Sequence, residues 1–82
     1  MIEEIMEAYP DEMFLKADGF DEAIIGVASD MNVPVRLVYS VKKCIEILMR
    51  DMNYETAREH FDYNVSGGYV GEQTPIWCND DF

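Results

Sequence analysis

The chain has 82 residues, with six Lys plus Arg against seventeen Asp plus Glu, and its formal net charge is −11. This length makes a single domain, residues 1–82, and the 49% hydrophobic content is too high for a disordered acidic tail. The longest uncharged apolar stretch, Ala23 to Ser29, is far shorter than the roughly 20 residues of a membrane-spanning helix. The acidic start at Met1 is the reverse of a secretory signal, and two cysteines fit reduced thiols, so we expect a cytoplasmic protein.

The acidic charge is concentrated at both ends of the chain. Residues 1–30 hold nine acids and one base, a net of −8, and residues 61–82 hold four acids and no base, a net of −4. Residues 31–60 hold four acids and five bases, a net of +1. A surface of this sign repels nucleic-acid phosphates and favours basic partners, although surplus carboxylates also keep a small protein soluble. The composition therefore argues against direct binding to nucleic acid.

The first predicted elements are a short helix and a β-hairpin. Apolar residues at helical spacing predict a helix that Pro10 ends, and they are Ile2, Ile5, Met6 and Tyr9. β-rich runs over residues 23–28 and 35–39 predict two strands joined by a loop of several residues. Gly26, inside the first strand, predicts a bulge or a close approach of a neighbouring element.

Two amphipathic helices and a last strand are predicted next. Ser40 and Asn53 are the expected N-caps of the two helices. The apolar stripe of the first helix, over residues 40–52, is Val41, Cys44, Ile45, Leu48 and Met52, and the buried face of the second is Ala57, Phe61 and Val65. The second helix should end near Ser66, because two glycines follow it. Residues 74–78 predict a strand, and Pro75 favours an edge position or the first position of that strand.

The order helix, two strands, two helices, strand predicts an α+β fold. We expect a three-stranded, mostly antiparallel sheet, packed on one face by two main helices and a short N-terminal helix. Residues 79–82 are expected to form a frayed tail.

The sequence offers little for catalysis or metal binding. Its one histidine, His60, would need Cys44 or Cys78 beside it to activate a thiolate, yet Cys44 lies on an apolar stripe and Cys78 lies near an anionic tail. These three residues include no short-spaced pair of zinc ligands. The acidic turn Asp18–Glu22 does not follow the calcium-loop pattern. We therefore expect no catalytic residue, no metal site and no cofactor.

Residues 64–75, which join the last helix to the last strand, contain three glycines and are the most unusual stretch. They lack the Lys-Ser/Thr of a phosphate-binding loop. One interpretation is a helix C-cap followed by a tight turn. The other is a recognition loop that displays Tyr69, Glu72 and Thr74, with Tyr69 and Trp77 as an aromatic anchor pair.

Three blocks of the chain belong together as a pattern. They are Asp18-Gly19-Phe20-Asp21-Glu22-Ala23-Ile24-Ile25-Gly26-Val27, Leu37-Val38-Tyr39-Ser40 with Cys44-Ile45, and Tyr63-Asn64-Val65 through Tyr69-Val70-Gly71-Glu72-Gln73-Thr74-Pro75. The pattern, over residues 11–78, resembles a widespread family of small proteins from tailed bacteriophages. That family often has Ala at the positions of Ser66 and Gly68. The resemblance implies a protein of the infected bacterial cytoplasm and favours a binding protein that modifies host functions.

The leading hypothesis is a non-enzymatic protein that occupies a basic surface of a host protein, such as a nucleic-acid-binding surface. Its candidate contact residues are Asp18, Asp21, Glu22, Tyr69, Glu72 and Trp77. The alternative is a small-ligand or nucleotide-binding protein whose loop residues line a pocket, and these residues are Asn64, Tyr69, Glu72 and Thr74.

Self-association is a further expectation. Ile47 and Met49 widen the apolar surface of the helix over residues 40–52, and Trp77 lies in the predicted edge strand. We expect a homodimer that tightens as salt screens the repulsion between two −11 chains.

Overall fold

Three α-helices and a three-stranded sheet make up the described part of the computed structural model, which covers residues 1–31, 33–65, 71 and 73–80. In chain order the elements are α1 (Ile2–Ala8), β1 (Ile24–Asp30), β2 (Val33–Ser40), α2 (Val41–Leu48), α3 (Tyr54–His60) and β3 (Ile76–Cys78). A single 3-10 turn, Asp21–Ala23, precedes β1, and a π-helical segment, Phe61–Val65, continues α3. The predicted α+β fold is confirmed. Within the described ranges, no helix has the length and apolar character to cross a membrane.

The sheet is mixed, with strand order β1-β2-β3. β1 and β2 are antiparallel, as the hairpin prediction requires, whereas β2 and β3 are parallel, so the expectation of a mostly antiparallel sheet needs correction. The physical reason is the connection. β2 leads directly into α2, and the chain passes through α2 and α3 before β3 begins, which is the long crossover that parallel neighbours need.

The hairpin loop is shorter than predicted. β1 ends at Asp30 and β2 begins at Val33, so two residues join the strands instead of several. Pro34, expected in the loop, is the second residue of β2. Its ring lies near the strand's start, where Pro interferes least with the sheet's hydrogen bonds.

A β-bulge interrupts β1 near its start, as Gly26 predicted. Ile24 pairs with Tyr39 and Gly26 pairs with Val38, so Ile25 is the extra residue. Ile25 is exposed, whereas Ile24 is buried. The extra residue puts Ile24 and Val27, which are three positions apart, on the same core-facing side of β1, opposite Tyr39 and Leu37.

The core lies on one face of the sheet, beneath the helices. β2 contributes Leu37 and Tyr39, both with no exposed surface, and they belong to one core cluster with buried residues of all three helices. The buried helix residues are Ile5 of α1, Val41, Cys44 and Ile45 of α2, and Ala57 of α3. The predicted apolar stripes of α2 and α3 are confirmed, with Leu48, Met52 and Val65 packed against the core from its margin.

Both predicted N-caps are present. The Ser40 hydroxyl accepts a hydrogen bond from the Lys43 N–H at 3.1 Å, and the Asn53 side-chain oxygen accepts one from the Thr56 N–H at 2.9 Å. Each satisfies a backbone donor that the first turn of a helix leaves without an intrahelical partner.

The helix α2 ends at Leu48, four residues before the expected end at Met52. The backbone N–H of Arg50 donates to the carbonyl of Ile47, and that of Asp51 donates to the carbonyl of Leu48. Each of these hydrogen bonds joins residues three positions apart, so the chain forms tight turns between the end of α2 and the Asn53 cap of α3.

Candidate interaction surface

Three carboxylates of α1 form one row on the solvent side of the helix. Glu7 is four residues after Glu3 and three after Glu4, so the three side chains share a face. All three are exposed, and none has an ion pair or hydrogen bond with a described residue. Ile5, on the opposite side, is buried in the core. We call Glu3, Glu4 and Glu7 the acidic row.

Two of the predicted contact acids are engaged in ion pairs. Asp21 lies 3.3 Å from the Lys16 ammonium, and Glu22 lies 2.8 Å from the Arg50 guanidinium. Asp18, the third, is exposed at the turn that Gly19 forms with a φ of 87°, where glycine is favoured. The acidic turn is therefore partly neutralised, unlike the acidic row.

A cleft of about 390 Å³ lies beside the second of these ion pairs. Lys43, Glu46 and Ile47 of α2 line it together with Glu22 and Arg50. Its charged walls are two acids and two bases, so the cleft carries little net charge in a strongly acidic chain.

Asp80 is a structural part of the α2 N-terminus that the sequence did not reveal. Its carboxylate accepts the Ser40 hydroxyl at 2.6 Å and the Lys42 N–H at 2.9 Å. These two hydrogen bonds hold the pKa of the Asp80 carboxyl below its ordinary value. The expected frayed tail over residues 79–82 is thus wrong at Asp80, and residues 81 and 82 lie outside the described residues.

Cys44, one of the two thiols considered for nucleophilic catalysis, is buried in the core. Burial, with a contribution from the Asp80 charge, raises the pKa of the Cys44 thiol to about 12, so at neutral pH this thiol is protonated and unreactive. The His60 ring lies 3.4 Å from the Asn64 side-chain amide. Among the residues that the structure describes, no three His, Cys, Asp or Glu side chains are grouped to hold a metal ion.

The residues predicted for a ligand pocket in the glycine-containing loop are only partly described. Asn64 is exposed in the π-helical segment, whereas Thr74 is buried and its hydroxyl donates to the Gly71 carbonyl at 2.6 Å. Tyr69 and Glu72 lie outside the described residues. Of the four residues predicted to line a ligand pocket, the two that are described therefore differ, because the Asn64 side chain is open to solvent and the Thr74 side chain is not.

Trp77, the predicted aromatic anchor, is half-buried beneath the helices. Its ring centroid lies 5.0 Å from that of Tyr39 and 5.4 Å from that of Phe61, the latter edge to face. Such aromatic pairs add about 0.5–1.5 kcal/mol beyond area burial. β3 is an edge strand, as predicted, but it begins at Ile76, two residues later than expected, and the indole of Trp77 contributes to the core.

The chain was compared with models of protein families, with curated proteins and with solved structures, and none of the three gave a match.

Proposed function

We propose that this protein is a non-enzymatic binding protein that uses the acidic row of α1 to occupy a basic surface on another protein. The single observation that carries the proposal is Glu7. Its carboxylate is exposed, unpaired among the described residues and placed where it opposes helix formation.

Three electrostatic effects make Glu7 unfavourable for the isolated fold. It lies in the last turn of α1, where the helix dipole is negative and no basic residue is present. It also faces like charges at Glu3 and Glu4, and each such pair costs about 0.2–0.5 kcal/mol. Glu3 and Glu4 are different, because carboxylates in the first turn interact favourably with the positive end of the helix dipole. A neutral residue at position 7 would favour the isolated helix more, and in this proposal a basic partner accounts for the carboxylate.

Exposed methionines beside the acidic row supply apolar contact area. Met6 is 44% exposed and Met1 is 58% exposed, both at the α1 end of the molecule. Methionine adapts its shape readily, which suits it to protein contacts. A row of carboxylates next to flexible apolar groups fits a partner whose surface combines Lys or Arg with apolar residues.

The chemistry of the partner follows from the charge. A chain of −11 is steered towards strongly basic surfaces, and nucleic-acid-binding proteins carry such surfaces. The resemblance to small proteins of tailed bacteriophages supports a partner in the bacterial cytoplasm. The protein would then modulate a host protein by covering its basic face.

The test compares three immobilised forms of the protein in bacterial lysate, at low and at moderate salt. They are the unaltered chain, a variant with Glu3, Glu4 and Glu7 changed to Gln, and a control with Glu46, Glu55 and Glu59 changed to Gln. The control removes the same charge from exposed sites on α2 and α3. We expect the unaltered chain and the control to retain the same basic protein, and the acidic-row variant to lose it.

Two outcomes would refute the proposal. One is that no specific protein is retained at either salt concentration. The other is that both triple variants lose the partner equally, because the effect would then be one of net charge and not of the acidic row.

A further inference from the structure

The two edges of the sheet differ in how they are protected. Within the described residues the strand order is β1-β2-β3, so β1 and β3 each have one side without a neighbouring strand. β3 has three residues and follows Pro75, and both a short length and a Pro limit pairing at an edge. β1 has seven residues and contains neither Pro nor Lys. We call the unpaired side of β1 the open edge.

Two residues of β1 are not needed by the pairing with β2. Ile25 and Ser29 are exposed, and neither has a paired residue in β2, because the register shifts at both positions. In the part of the chain that the structure describes, no backbone hydrogen bond outside the β1–β2 pairing involves residues 25–30. The chain from Ala23 to Ser29 also carries no charge. Backbone N–H and C=O groups at the open edge are therefore available to another extended chain.

The charges around the open edge are acidic. Asp30 is the last residue of β1, and Asp21 and Glu22, which are paired with Lys16 and Arg50, precede the strand. Of the strands, α1 packs mainly against β1, so the acidic row lies on the β1 side of the molecule. An uncharged strand with acids around it is complementary to an extended segment whose apolar middle is flanked by Lys or Arg.

We propose that the open edge binds an extended basic segment of a partner protein, which adds a fourth strand to the sheet. The backbone of this segment makes the hydrogen bonds with β1, and its Lys or Arg side chains are attracted by the acidic row. The proposal rests on the proposed function in one respect, namely that the partner is basic.

A second copy of this chain is a poorer occupant of the open edge. Pairing of β1 with β1 brings two acidic rows and two Asp30 residues to one interface, and these charges repel each other. Of the apolar residues that the sequence favours for self-association, Ile47 and Trp77 pack against the core, whereas Met49 is 43% exposed. The charge therefore favours a basic partner.

The test uses two synthetic peptides as probes, each with a middle of alternating Val and Thr. The lysine peptide has two Lys at each end, and the glutamate peptide has two Glu at each end. We expect the lysine peptide to bind the full chain at low salt with a dissociation constant below about 1 mM, and to bind more weakly as the ionic strength rises to about 0.15 M. The glutamate peptide should not bind.

Amide hydrogen exchange, measured by NMR, identifies strand addition itself. In the free chain, alternate N–H groups of β1 should exchange quickly, because every second residue of an edge strand points its backbone groups away from the neighbouring strand. The bound lysine peptide should slow the exchange of these N–H groups by about tenfold or more. Binding through side chains alone would leave their exchange unchanged.

A matched pair of variants at Ser29 tests the backbone contact. Ser29→Pro removes a backbone donor at a residue that β2 does not pair, and it should raise the dissociation constant of the lysine peptide about tenfold or more. Ser29→Ala keeps the donor and should change the constant by less than about twofold. If circular dichroism shows that Ser29→Pro does not fold, amide exchange in the unaltered chain still decides the proposal.

Three results would overturn the proposal. The first is that the lysine peptide does not bind, or binds without slowing exchange in β1. The second is that a folded Ser29→Pro binds it as tightly as Ser29→Ala. The third is a homodimer in sedimentation that Ser29→Pro dissociates.

The variant with Glu3, Glu4 and Glu7 changed to Gln separates this proposal from the proposed function. We expect this variant to bind the lysine peptide more weakly than the unaltered chain. If it binds as tightly while Ser29→Pro does not bind, the open edge is supported and the role of the acidic row fails. If it loses binding while Ser29→Pro keeps it, the acidic row is supported and the open edge fails.

Discussion

Residues 1–22 and residues 24–65 differ in how their polar side chains are used. The second region uses polar groups to hold its own structure, with side-chain caps at both α2 and α3, and it contains most of the core. The first region contributes two buried apolar residues, Ile5 and Phe20, each still 8% exposed, and carries the acidic row, which has no partner among the described residues. We therefore expect stability to reside mainly in the sheet and the two later helices, while the exposed acidic row of α1 is the proposed contact surface.

The largest predicted effect concerns the core of the second region. Leu37 has no exposed surface, so Leu37→Ala should lower the free energy of unfolding by about 2–5 kcal/mol. Met13→Ala, at a residue that is 84% exposed in the first region, should change it by less than about 0.5 kcal/mol. Urea unfolding followed by circular dichroism measures both. Equal losses would mean that the two regions share the stability evenly.

The next effect concerns the junction between β2 and α2. The Ser40 hydroxyl accepts from Lys43 N–H and donates to Asp80, so Ser40→Ala removes an N-cap and leaves the Asp80 carboxylate with one partner fewer. We expect a loss of about 0.5–2 kcal/mol in the free energy of unfolding. Ser29→Ala, at an exposed strand residue of β1, is the control and should be close to neutral. A neutral Ser40→Ala would contradict the role of the cap.

The same junction predicts a dependence of stability on pH. The folded-state pKa of Asp80 is lowered, so the ionised carboxylate stabilises the fold above its unfolded pKa of about 3.9. This contribution is lost as the pH falls through the lower folded pKa. Asp80→Asn should therefore be less stable at neutral pH and should lose less stability on acidification. Parallel pH curves for the two proteins would show that Asp80 makes no such contribution.

The smallest effect concerns the ion pair between the two regions. The carboxylate of Glu22 and the guanidinium of Arg50 are 2.8 Å apart but 70% and 60% exposed, so solvent screens their attraction. Glu22→Gln should lower the free energy of unfolding by only about 0.2 kcal/mol, and moderate salt should abolish the difference. A loss above about 1 kcal/mol would mean that this contact fixes the first region onto the second.

The elements with strong local signals could be predicted from the sequence. The stripe of α2, the caps Ser40 and Asn53, and the bulge at Gly26 follow from spacing and residue type, and the structure confirms all of them. The direction of β3 could not be predicted, because a three-residue strand has no pattern that fixes parallel or antiparallel pairing. The direction of β3 relative to β2 depends on where the chain returns to the sheet after passing through α2 and α3.

The candidate surface was harder to predict than the fold. Asp18, Asp21 and Glu22 were identified by their charge alone, and the ion pair of Glu22 depends on a tertiary contact with Arg50. Asp80 was missed because its partners lie some forty residues earlier in the chain. The acidic row did have a local signal, namely three acids at helical spacing with one of them at the C-terminal end of the helix.

The measurement that tests the central claim most directly is a paired one on Glu7→Gln. The free energy of unfolding should rise by about 0.5–1 kcal/mol, because two like-charge pairs and an unfavourable dipole interaction are removed. The same variant should be retained more weakly than the unaltered chain by the partner captured at low salt. A variant that is less stable, or more stable yet bound as tightly as the unaltered chain, would contradict a binding role for the acidic row.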